Sequence, residues 1–269
     1  MNKKYDVLIE TYINNVTFEE LETFLLNNAF LPDGKINTSL SDAFADHFDN
    51  LTITPLKWKL LNKWASLSYS EAPTDSTNEF LCLCSVKGFC EFYTYGSVKE
   101  QRHILDILKK AMNDRRWKVR ESSVMGLQRI SDKNFFSFKK IVNSLIKNST
   151  LLEKRAIIAS LTHPDILKIK SNAIYSLSIT EIIFKDILSL TPLQLQSVAF
   201  KVLCKTLESS VSIFVAYCPE EGFEMLKKFA TVGEGENIIR SIIMCNLKKV
   251  RLHKYHKEEV IEISKLLKS

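Results

Sequence analysis

Glycine and proline are scarce in this chain, at 7 and 6 of 269 residues. An all-β fold needs turn residues every few positions, so that class is excluded. No stretch approaches the ~18 uninterrupted apolar residues of a transmembrane helix, and none is expected. The first residues, Met1–Asn2–Lys3–Lys4–Tyr5–Asp6, lack the apolar run of a signal peptide, so no leader is expected either. The 6 cysteines (Cys82, Cys84, Cys90, Cys204, Cys218 and Cys245) show no paired CxxC spacing and are too sparse for a disulfide framework. They are expected as core thiols in a reducing cytoplasm. The chain also lacks a glycine-rich phosphate loop, a GxSxG elbow and an HExxH pair. No two carboxylates are placed as a general acid and base. His253 and His256 are three apart but have no third ligand in a matching pattern. No catalytic residue, metal or cofactor is therefore expected, and the balance is against an enzyme.

What is present is material for helices. Hydrophobic residues make up 45% and charged residues 25%, with Leu, Ile, Lys and Glu abundant. One stretch organises the rest, Asp114 to Ile130. Trp117, Val119, Val124, Leu127 and Ile130 fall mostly on one side of a helix, which must bury that side against neighbours. Gln101 to Met112 offers a second apolar face through Ile104, Leu105, Ile107, Leu108 and Met112. The polar break Asn113–Asp114 joins the two into a helical hairpin.

The pattern of Arg120–Leu127 returns without gaps at Lys154–Leu161, Gln196–Leu203 and Arg240–Leu247, at separations of 34, 42 and 44 residues. Helical-pair repeats have periods of about 40–47 residues. With its turn Asp, Val-Arg pair and small-residue-rich helix, the stretch resembles a HEAT repeat. In that family the turn Asp and the following Arg form a ladder between repeats, which the resemblance carries onto Asp114 and Arg120. A wider resemblance is to a bacterial group of HEAT-repeat proteins. It rests on Asp42–Ala43–Phe44–Ala45–Asp46, Glu71–Ala72–Pro73–Thr74, Glu79–Phe80–Leu81, the Trp117 helix, Phe200–Lys201–Val202–Leu203 and Asn246–Leu247–Lys248–Lys249–Val250–Arg251–Leu252. This implies an all-α, armadillo-type superhelix of stacked hairpins and carries no activity with it. In architecture alone the chain is also similar to HEAT-like-repeat DNA alkylation repair glycosylases.

Along the chain, residues 1–75 read as an irregular N-terminal helical region and residues 76–269 as the repeat array with a C-terminal capping helix, the two expected to form one continuous solenoid. Thr17 and Glu20 form a capping-box pattern, and Thr54–Pro55 opens a helix. Ser68 to Asn78 is the weak boundary. Phe80 to Tyr95 is apolar on nearly all sides and is expected at the centre of the stack. Later helices are predicted near 98–113, 117–131, 135–147, 151–161, 164–176, 179–189, 192–208, 210–217, 220–230, 235–249 and 256–268, with Gly233–Glu234–Gly235 as the last turn.

Charge is unevenly distributed. Residues 1–98 carry 7 basic and 13 acidic side chains, while residues 99–133 carry 10 and 5, and residues 240–269 carry 8 and 3. Candidate phosphate contacts are Lys109, Lys110, Arg115, Arg116 and Lys118, with Lys248, Lys249 and Arg251 in a second run. The competing expectation is a solvated turn with a structural Arg and Trp117 in the core. Asp114, Trp117, Val119, Arg120 and Leu127 are the structural signature of the repeat. Trp58 and Trp64 are expected in the core rather than stacked on bases. The function expected is non-enzymatic binding of a protein partner by the concave face of the stack. The alternative is duplex DNA binding or alkylation repair on a basic groove. Neither a membrane nor a small-molecule cofactor is expected.

Overall fold

A computed structural model describes residues 3–49, 53–231 and 237–268. Among these residues the regular structure is α-helical, with one short 3-10 turn at Ile146–Asn148 and one isolated antiparallel bridge between Phe30 and Ile36. None of these helices is long and apolar enough to cross a membrane. The predicted turn Gly233–Glu234–Gly235 lies outside the described residues. The chain forms two compact units, Met1–Lys140 and Ile141–Ser269. The loop-like segment 68–78 lies inside the first unit.

The first unit contains α1 (Lys3–Asn14), α2 (Phe18–Asn27), α3 (Thr38–Asp46), α4 (Pro55–Ala65), α5 (Glu79–Phe92), α6 (Val98–Met112) and α7 (Trp117–Lys133). The division falls within α8 (Phe135–Leu145). Helix α5 is the hub. Every residue from Glu79 to Phe92 is buried, as its all-round apolar pattern requires, and it packs on α3, α4 and α7. The approach of α7 is close because Gly126 faces α5. A Cβ at this position would lie 2.5 Å from the Cys90 Sγ.

Thr54–Pro55 opens α4 as expected. Thr54 accepts the Lys57 amide, and Ser97 with Glu100 forms a full capping box on α6. Thr17 makes no cap bond, and its hydroxyl is buried without a hydrogen-bond partner. Its ψ of 65° departs from the extended backbone an N-cap uses, so the expected Thr17–Glu20 box does not form.

The second unit contains α9 (Leu151–Leu161), α10 (Pro164–Leu167), α11 (Lys170–Leu188), α12 (Pro192–Gln196), α13 (Val198–Tyr217), α14 (Pro219–Ala230), α15 (Asn237–Leu247), α16 (Val250–His253) and α17 (Lys257–Leu266). Helix α13 lies at its centre, against α9, α11 and α15. Two predicted breaks, near 177–178 and 209, are absent. There the helices run on, and the hydroxyls of Ser176, Ser178, Thr180 and Ser209 donate back to carbonyls three or four residues earlier. The predicted helix over 164–176 instead splits at Lys168–Ile169, where Ile169 is extended at the N-cap of α11.

Candidate functional site

The basic stretch of the first unit begins at the turn between α6 and α7. Asp114 Oδ1 accepts the Arg116 amide at 2.7 Å and its Nε at 2.9 Å, while Oδ2 accepts Nη2 at 2.7 Å. The remaining Arg116 donors reach the carbonyls of Ala72 at 3.0 Å and Leu67 at 3.2 Å. Burial raises the Asp114 carboxyl, but the Arg116 hydrogen bonds and the charges of Arg116 and Arg120 outweigh it, and the net shift is down. Arg120 donates to the carbonyls of Asp114 and Arg115 at 2.7 and 2.9 Å. The inter-repeat ladder expected of Asp114 and Arg120 is therefore replaced by a clamp within one turn. The carboxylate goes to Arg116, which can form a bidentate pair with it, and Arg120 goes to the backbone.

This geometry divides the basic candidates. Arg116 is buried and fully engaged. Lys118 is largely covered, paired with Asp75 and Glu79, and sits over the Phe30 ring. Both face the protein rather than solvent. Lys109, Lys110 and Arg115 are exposed. The Arg115 guanidinium lies 3.8 Å from the centroid of Tyr69.

Trp117 is not in the core; it is 59% exposed. It is the first residue of α7, and its column continues through the half-exposed Glu121 and Gln128 at the edge of the buried face. Val119, Val124, Leu127 and Ile130 are buried as expected. Trp64 is fully buried, with its Nε1 donating to Glu22 at 2.9 Å, and Trp58 lies edge-on to Phe89.

A pocket of about 440 Å³ opens beside the turn. Val86, Ile107 and Val119 contribute an apolar floor, and Lys110, Arg115 and Tyr69 line it alongside. His103 also lines it and is held at 2.6 Å from the Asn62 side chain. Cys82 reaches the pocket, but burial raises its thiol to about 11, so it is a packed side chain and not a nucleophile at neutral pH. Ser68, also in the lining, donates its hydroxyl to the exposed Glu71 carboxylate at 2.6 Å.

Compared with family models, curated proteins and solved structures, the chain matches none.

The second basic run extends from the end of α15 into α16 in the second unit. Lys248 and Arg251 are exposed and Lys249 is half-buried. Arg251 approaches the Ser209 carbonyl at 3.4 Å. Lys248 lines a further pocket with Lys265 and Lys268.

Sequence reasoning missed an ion network that joins α3, α5 and α7. Asp42 lies 2.5 Å from the buried Lys87 and 2.7 Å from Arg129. Arg129 also meets Asp46 at 2.8 Å and Glu91 at 2.5 Å, and Lys133 bridges Glu91 and Asp49. Burial raises the Asp42 carboxyl, but Lys87 and Arg129 outweigh it and the net shift is down. Asp42 and Asp46 are four apart, as are Lys87 and Glu91, and Arg129 and Lys133, so each helix presents its charges on one face. That spacing was visible in the chain; which helices face one another was not.

Proposed function

We propose that the protein is a non-enzymatic binding protein. Within each unit its helices are stacked as HEAT-like hairpins, and a protein partner docks on the surface carrying Trp117, Arg115, Tyr69 and Lys110. The observation that carries this reading is the exposure of Trp117, 59%, at the start of α7 and two residues from an Arg stacked on a Tyr. Trp, Tyr and Arg dominate the energetics of protein interfaces because they bury large areas with few rotors. The repeat reading is supported by register. The eight-residue template begins at the fourth helical residue in both α7 and α9. In the second unit α13 packs against α9 and α15, which carry two of the later copies; the third, Gln196–Leu203, starts on α12 and crosses the extended Ser197 into α13. The free thiols support a reducing compartment such as the cytoplasm.

Pull-down from a reducing lysate, with the native chain and Trp117→Ala in parallel, tests the binding reading. A partner retained by the native chain and lost at least tenfold by the variant, with unchanged melting temperature, is the expected result. Identical capture by both proteins overturns it.

Duplex DNA is the second reading, favoured by the exposed Lys109, Lys110 and Arg115. It is weakened by the engagement of Arg116 and Lys118 inside the protein. A gel shift across a salt series decides it. Binding through these three cations predicts a log–log slope of roughly −3, about −0.9 per neutralised phosphate. No binding at low salt removes this reading.

A further inference from the structure

At the end of the second unit, α15 and α17 enclose a pocket of about 440 Å³. Its floor is apolar: Leu247 and Val260 are buried there, and Ile261, on the same wall, is 54% exposed. Its polar lining is one-signed. Lys248, Lys265 and Lys268 line it with His253 and Ser264; the four basic side chains are exposed, and among the described residues no carboxylate lines it. The acidic side chains of α17 are used or placed elsewhere. Glu262 is paired with Lys227 at 2.7 Å, and Glu258 and Glu259 stand in the first turn of α17, at the opposite end of the helix from Lys265. Lys248 follows the C-terminus of α15, and Lys265 lies in the last turn of α17. The helix dipoles hold cations there in the absence of any ligand.

We propose that this pocket docks an acidic–apolar peptide segment of a protein partner. One large aliphatic or aromatic side chain fills the floor, and flanking Asp or Glu carboxylates meet Lys248, Lys265 and Lys268. Each half of the site excludes a simpler occupant. A phosphodiester backbone satisfies the lysines but leaves the exposed Ile261 uncovered. A neutral apolar segment covers the floor and leaves three ammonium groups without counter-charge. The segment that matches both halves alternates the two side-chain types. The inference deepens the protein-partner reading but uses a different unit and different residues from the Trp117 surface.

The test is fluorescence anisotropy of the full chain with four labelled probes: a 12-residue peptide repeating Asp-Leu-Glu-Phe, its charge-inverted counterpart Lys-Leu-Arg-Phe, an apolar-free Asp-Ser-Glu-Ser peptide, and a 20-base-pair duplex. Phosphatidylserine vesicles serve in a separate sedimentation arm. The expected result is preferential binding of the acidic–apolar peptide. The double variant K248E/K265E and the single variant I261D should each weaken it at least tenfold. K248Q/K265Q should give an intermediate loss, and melting temperatures should not change. W117A should leave this affinity intact, which separates the failure of this site from the failure of the Trp117 surface. Equal binding of the charge-inverted or apolar-free peptide overturns the proposal. So does preference for vesicles or duplex, affinity unchanged in the charge variants, or no binding of the acidic–apolar peptide at millimolar concentration.

Discussion

Two residues of α7 show how one helix serves packing at one position and solvent at another. Gly126 is required by distance: a methyl group there would meet the Cys90 Sγ at 2.5 Å, on the fully buried hub helix. Gly126→Ala is expected to destabilise the first unit by about 1–3 kcal/mol, the usual cost of overpacking a filled core. Combining it with Cys90→Ala should recover part of that loss, because the sulfur is the group in the way. Urea unfolding of the two variants checks this, and additive losses count against it. Trp117 is the opposite case. With over half its surface in water, Trp117→Ala should change the unfolding free energy by no more than about 0.5 kcal/mol, the usual range for surface positions. A large loss of stability in that variant shows that the side chain packs.

At the scale of elements, the first unit is joined by charge as well as by apolar contact. Arg129 on α7 serves Asp42 and Asp46 on α3 and Glu91 on α5, and Glu91 is almost wholly covered. Arg129→Met removes the cation and leaves that carboxylate buried, with Lys133 as its remaining partner. The expected cost is about 3–5 kcal/mol, measured by chemical denaturation. Titration follows the same contacts. The Asp42 and Asp49 carboxyls are held below their usual range, Asp49 by hydrogen bonds from Lys133 and Tyr95. A group with a depressed folded value contributes stability above its unfolded value, about 4 for a carboxyl, and that contribution is lost as pH falls through the folded value. Denaturation at stepped pH should therefore show stability falling from just above pH 4 downward, with a shallower fall in Asp42→Asn. Equal slopes in the two proteins remove Asp42 from the account.

At the scale of the molecule, the two units offer separate probes. Trp58, Trp64 and Trp117 all lie in the first unit, so tryptophan fluorescence reports that unit alone while helical circular dichroism reports both. The first unit carries the network of paired, depressed carboxyls. Acid is therefore expected to complete the fluorescence transition while part of the helical signal persists. Coincident transitions argue that the units unfold together.

The period of the apolar residues determined by itself that the chain is all-helical, that Val119, Leu127 and Ile130 face inward, and that α5 is buried on every side. These are local consequences of a 3.6-residue repeat and of composition, and they do not depend on what packs against what. The fate of each charge was not legible in the same way. Arg115 and Arg116 are neighbours of one type, yet one stacks on Tyr69 at the surface and the other is buried against Asp114. The breaks expected near 177–178 and 209 are absent, and hydroxyls there bond back to helix carbonyls in continuous helices. A long polar side chain has no preferred side until its partners arrive from elsewhere in the chain. Asp42 and Arg129 are 87 residues apart, and only the tertiary structure brings them within a hydrogen bond.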